Sequence, residues 1–79
     1  LEADAIIDNG AGCWAAFEVK LGARTEVVDE AAAKLLRLRD AVDIRRSGTP
    51  AALVVVTGSG FSYLRPDGVS VVPIGLLRN

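Results

Sequence analysis

Histidine is absent from this 79-residue sequence and cysteine occurs once, at Cys13. Those two gaps remove whole classes of chemistry. No Ser-His-Asp or Cys-His relay can be built without an imidazole. One thiol and no imidazole cannot supply the usual zinc ligands, and a lone cysteine closes no internal disulfide. Methionine is missing too, which sets the expectation that the natural start lies elsewhere and that this is a fragment of a larger protein. The longest apolar run, Ala51 to Val56, is far too short to span a bilayer. No basic segment followed by an apolar stretch is present, so no signal peptide is read. A cytoplasmic protein without membrane contact is the expectation. Nine Lys and Arg against ten Asp and Glu leave a net charge of −1. Nonspecific nucleic-acid binding driven by charge alone is therefore not expected, though a local basic patch stays open.

Aromatic residues make up only 5% of the chain against a hydrophobic fraction of 51%. The core must then be built from Val, Leu, Ile and Ala. A chain this short buries about 60% of its unfolded surface, enough for one small domain over residues 1–79. Glu2 to Asp8 alternates, with Glu2, Asp4, Ile6 and Asp8 on one face and Ala3, Ala5 and Ile7 on the other, which predicts a strand. Asn9 to Cys13 reads as a turn around Gly10 and Gly12. Trp14 to Lys20 reads as a second strand, with Trp14, Ala16, Glu18 and Lys20 sharing a face. The spacing of Val27, Ala31, Leu35, Leu38 and Val42 predicts a helix over Glu26 to Val42, capped by Thr25. Glu30 and Lys34, four apart on its outer side, are expected to pair. Ala51 to Thr57 has the unbroken Val-rich composition of a strand buried on both faces of a parallel sheet. Phe61 to Arg65, Pro66-Asp67-Gly68 and Val69 to Pro73 predict a hairpin, and Ile74 to Asn79 a short helical turn. The order strand, strand, helix, strand, hairpin predicts an α/β fold with a mixed sheet. The second and third strands would be parallel and joined by a right-handed crossover.

Glu18-Val19-Lys20 is by itself a weak signal, because a solvated strand face with a same-face ion pair reads the same way. Register strengthens it. If the first two strands form a hairpin over Asn9 to Cys13, Asp8 faces Trp14, Asp4 faces Glu18 and Glu2 faces Lys20. Opposed side chains lie about 4.5–5.5 Å apart at Cβ, so two carboxylates repel unless a cation lies between them. A divalent metal would serve, since Mg²⁺ is often held by one or two carboxylates plus phosphate. Lys20 would then lie beside the metal, able to hold a phosphate or orient a water. Seven of the nine cations are Arg, yet this position uses Lys, a compact point charge.

At these residues the chain resembles a known family. Glu2-Ala3-Asp4-Ala5-Ile6-Ile7, Phe17-Glu18-Val19-Lys20, the helix, and Ala52-Leu53-Val54-Val55-Val56-Thr57 are similar to the PD-(D/E)XK nuclease superfamily. More closely, they resemble the C-terminal domain that follows an AAA-type ATPase domain in many bacterial and archaeal proteins. That domain often reads E-V-D-F, then I-E-V-K, and ends in a segment like Val72-Pro73-Ile74. The resemblance implies a restriction-endonuclease-like fold with Asp4 and Glu18 as ligands of Mg²⁺ or Mn²⁺, Lys20 as the catalytic lysine and Glu2 assisting. Here Ala3 stands where the family has an apolar β-branched residue. The family core also begins with a helix and a strand that would precede Leu1, so the fragment alone is expected to be inactive and its first strand to expose an edge that pairs with a second copy. A metal-dependent DNA phosphodiesterase is the first functional reading; an idle regulatory, interaction or oligomerisation module of the same ATPase is the second.

Other features carry two readings each. Thr57-Gly58-Ser59-Gly60 follows a strand like a nucleotide loop, but no further glycine completes a fingerprint, which favours a plain turn. Arg37, Arg39, Arg45 and Arg46 cluster at the helix end; Arg45 and Arg46 are the candidates for phosphate contact, against simple complementation of the helix dipole. Trp14 anchors a sheet face or stacks on a base. No chemistry is assigned to Cys13.

Overall fold

The structure, a computed structural model, describes residues 3–8, 14–43 and 52–77. Strand β1 spans Ala5–Asp8 and β2 spans Trp14–Lys20. Helix α1 spans Thr25–Asp43 and β3 spans Ala52–Thr57. The hairpin strands β4 and β5 span Tyr63–Leu64 and Ser70–Pro73, and a 3-10 turn covers Ile74–Leu77. One mixed sheet runs in the order β1-β2-β3-β5-β4. Strands β2, β3 and β5 are parallel, while β1 and β4 run antiparallel at the two edges. The chain is thus a small α/β domain with the predicted element order.

Helix α1 lies on β2 and β3. Its buried stripe is Val28, Ala31, Ala32, Leu35 and Leu38, which meets Trp14, Ala16, Leu53, Val55, Val69 and Val71 of the sheet and hairpin. Two neighbouring valines could begin that stripe, and packing selects Val28 over the predicted Val27, which is half-buried. The predicted cap at Thr25 also moves by one residue. The Val28 N–H donates to the Arg24 carbonyl at 3.0 Å, so Arg24 accepts the first intrahelical bond and Thr25 lies inside the helix. No helix among the described residues is long and apolar enough to cross a membrane.

The hairpin turn follows its sequence chemistry. Gly68 adopts φ +92°, its N–H donates to the Arg65 carbonyl at 3.0 Å, and the Arg65 N–H donates to the Val69 carbonyl at 2.9 Å. Arg65 ties this turn to α1: its Nη1 donates to Asp29 Oδ1 at 2.7 Å and its Nε to Asp67 Oδ2 at 3.1 Å. The Asp29 bond above all, with the Asp67 contacts, raises the Arg65 pKa against the opposing effect of burial.

Strand β1 is shorter than the predicted Glu2 to Asp8. Among the described residues its one neighbour is β2, and the hairpin lies at the opposite edge of the sheet, so β4 and β5 do not cover it. Ile6 and Ile7, on opposite faces of β1, are 54% and 60% exposed.

Candidate functional site

Strand β2 places Trp14, Ala16 and Glu18 under the helix, all buried, because the period of a strand is two residues. The third of these carries a charge. Glu18 is 1% exposed and neighbours Val55 in the β3 register. A carboxylate at that depth loses its water, and the effective cost is several kcal/mol unless partners replace it.

The partners come from three elements. The β1–β2 register pairs Asp8 with Trp14, Ile7 with Ala15, Ile6 with Ala16 and Ala5 with Phe17. One step further, Asp4 arrives beside Glu18, as expected for strands joined over Asn9 to Cys13. The Asp4 N–H is shared between the Phe17 carbonyl at 3.0 Å and Glu18 Oε1 at 3.2 Å. Asp4 returns the exchange, its Oδ2 accepting the Val19 N–H at 2.8 Å. Helix α1 contributes Lys34, whose Nζ donates to Glu18 Oε2 at 3.3 Å. Lys20, on the same strand face, places its Nζ 3.7 Å from that oxygen. Both lysines of the chain therefore converge on one buried carboxylate. Their side chains remain 40% and 37% exposed, for Lys20 and Lys34, so solvent reaches the ammonium side of the cluster. Each ammonium attracts the carboxylate by a few kcal/mol at an effective dielectric of about 20, discounted for that exposure.

Lys34 is the residue that sequence reasoning placed elsewhere. Its expected partner, Glu30, loses to Glu18, because an exposed pair on one helix contributes only about 0.3–0.5 kcal/mol and a buried carboxylate needs a cation far more. One signal pointed to it. Trp14 and Ala16 mark the face of β2 that carries Glu18 as a core face, so a cation on the helix crossing that face could serve as a counter-charge beside Lys20.

Asp4, Glu18 and Lys20 are brought together; Glu2, Arg45, Arg46 and Cys13 lie outside the described residues. Of the other helix-end arginines, Arg37 is exposed and Arg39 pairs with its neighbour Asp40 at 3.1 Å. Trp14, only 6% exposed, anchors the core and presents no face on which a base could stack. Thr57 Oγ1 donates to the Ser59 carbonyl at 2.9 Å, which makes the segment after β3 a closed turn. Beside it, a cavity of about 220 Å³ opens between Ala23, just before α1, Val28 of its first turn, and Phe61, Tyr63 and Val71 on the hairpin side.

The donor set can be tested against a divalent ion. Its oxygens suit a hard cation. Among the described residues, however, no group of three or more His, Cys, Asp or Glu side chains gathers anywhere. The cluster has two carboxylates and two ammoniums, so it is already neutral. Glu18 and Asp4 are engaged by Lys34, Lys20 and backbone N–H groups, so as they stand they leave a divalent ion short of the oxygen ligands it takes. No protein-family description matches this chain, and no curated protein or solved structure proved significantly similar.

Proposed function

We propose that the chain is the restriction-endonuclease-like C-terminal domain of a larger bacterial AAA-type ATPase, and that Asp4, Glu18 and Lys20 form a metal-dependent DNA phosphodiesterase site. The observation that carries this reading is the register: Asp4 stands beside Glu18 across the β1–β2 ladder, with Lys20 two residues along the same face. The sheet order, with parallel β2 and β3 bridged by α1 and an antiparallel β1 outside them, is compatible with that fold. Asp4 and Glu18 would hold the Mg²⁺ or Mn²⁺. Once bound, such an ion polarises a phosphate and lowers the pKa of water. Lys20, partly open to solvent, carries an ammonium able to grip a phosphate oxygen or orient the attacking water.

In this reading the full-length parent cleaves plasmid DNA in Mg²⁺ or Mn²⁺, and Lys20→Ala and Glu18→Ala each abolish cleavage while the circular dichroism spectrum is kept. Undiminished cutting by either variant refutes it.

One observation favours the second reading, an idle regulatory, interaction or oligomerisation module of the same ATPase: Lys34 and Lys20 already neutralise Glu18. A cluster satisfied in this way can be kept for stability alone. That reading expects Lys20→Ala to leave every activity of the parent intact, while deletion of the domain alters ATP turnover or assembly.

A further inference from the structure

We propose that the cavity between the first turn of α1 and the hairpin side of the sheet binds a small uncharged aromatic molecule with one hydrogen-bond donor, of the class of phenol or indole. None of Asp4, Glu18 and Lys20 lines it, so the inference stands apart from the function proposed above.

The lining and the size define the class of ligand. The inner wall is Val28, Thr57 and Val71, each at most 2% exposed. No lining residue is charged, so an ion entering the cavity would shed water and meet no counter-charge. The volume of about 220 Å³ falls below a drug-sized pocket, roughly 300–1,000 Å³, and above the roughly 150 Å³ that encloses benzene. One ring, or two fused, fills it. The rim supplies partners for that ring. Phe61 and Tyr63 are two of the four aromatic residues of the chain, and both line the cavity while 88% and 48% exposed. An aromatic side chain left in water beside an apolar hollow gains burial and offset or edge-on contact when a second ring enters.

Thr57 sets the polar requirement. Its hydroxyl hydrogen is committed to the Ser59 carbonyl at 2.9 Å, so what it offers a ligand is an oxygen that accepts. A phenol O–H or an indole N–H can use that oxygen. The position agrees with this role. The cavity lies at Thr57, the last residue of β3, on the carboxyl side of the parallel strands, where open α/β sheets take their ligands. Gly60, at φ +107°, keeps the mouth open, since a Cβ built on it would already touch that of Ala23 at 3.6 Å.

The test is a titration of the ¹⁵N-labelled chain with phenol, indole and N-methylindole, followed by amide shifts in NMR and by melting temperature. Phenol and indole should bind with a Kd of about 0.1–1 mM, as suits ligands of about seven to nine heavy atoms. Their shifts should centre on Val28, Thr57, Tyr63 and Val71, and saturating ligand should raise the melting temperature. N-methylindole has no donor and should bind about three- to tenfold more weakly than indole. Phe61→Ala should weaken indole about fivefold. Ala23→Phe fills the mouth from an exposed position and should abolish binding while the fold is kept. Thr57→Val should remove the preference for indole over N-methylindole, and Thr57→Ser should retain it. If Thr57→Val does not fold, the wild-type preference decides the role of the hydroxyl. Indole binding that Ala23→Phe leaves unchanged overturns the site, as do shifts spread equally over Leu21 and Leu64, exposed residues outside the lining. Equal wild-type affinity for indole and N-methylindole overturns the donor requirement.

Discussion

Gly58, the first residue after β3, offers a sharp test of the packing around the site. A Cβ built on it would lie 2.6 Å from the carbonyl oxygen of Leu21, the residue that follows Lys20 at the end of β2. The obstructing atom is backbone, so no side chain can rotate away; the ends of two adjacent parallel strands must separate. Overpacking of this kind costs about 1–3 kcal/mol. The entropy that alanine removes from the unfolded chain returns about 0.4–1 kcal/mol, which leaves Gly58→Ala roughly 1–2 kcal/mol less stable. A chain of this length has about 4–12 kcal/mol of stability in total. The melting temperature should therefore fall by roughly 5–15 °C. Gly22 is the matched control: it follows the same strand, and nothing lies within 4 Å of the Cβ it would gain. Gly22→Ala should be neutral or gain up to about 1 kcal/mol. Urea titration of the three proteins decides the matter. A Gly58→Ala midpoint within error of wild type, or a Gly22→Ala loss as large as that of Gly58→Ala, refutes the argument.

Three further outcomes follow from the same contacts. Arg65→Ala should lose about 1–2 kcal/mol, because Asp29 and Asp67 lose a charged donor that joins hairpin to helix. The Arg65 pKa is raised in the folded state, so its contribution is fully present below the unfolded-state pKa and is lost only as pH rises through the higher folded value; the deficit should stay flat from about pH 7 to pH 10, and a deficit that shrinks across that window counts against it. Asp4→Ala should cost about 0.5–1.5 kcal/mol by removing the acceptor of the Val19 N–H, while Asp4→Asn, whose amide oxygen can take that bond, should lose less in the same melt. The edge of β1 that is unpaired among the described residues should pair two copies, so sedimentation at micromolar concentration should show a dimer that Ile6→Lys disperses; a concentration-independent monomer rules the pairing out.

Strand β2 was legible to the residue because its alternation runs unbroken from Trp14 to Lys20, and the β1–β2 register followed from joining the two strands over the five residues Asn9 to Cys13. The Pro66-Asp67-Gly68 turn was legible because each residue imposes its own backbone geometry. The first residue of the helical stripe was not, since Val27 and Val28 are equally apolar and the angle at which α1 crosses the sheet chooses between them. Lys34 was misplaced for a related reason: spacing along one helix reports only partners on that helix. The burial of Glu18 belongs to the tertiary structure, and it required α1 in place before its depth was visible. The close approach of Gly58 to Leu21 left no sequence signal beyond a glycine that also reads as an ordinary breaker.

The sheet order has a kinetic consequence. The β1–β2 and β4–β5 ladders join strands that are neighbours along the chain, whereas β3 must be reached across the whole of α1 before it can lie between them. Hairpins close in about 1–10 μs, while ladders between distant segments wait on a longer search. Asp4 and Glu18 are therefore expected to meet early, in a local hairpin still open to water, where two neighbouring carboxylates are tolerated. Helix docking comes afterwards and does two things in one event: it takes Glu18 out of solvent and delivers the Lys34 ammonium to it. The element that buries the charge also carries one of its two counter-ions, so burial and compensation come with the same packing contact.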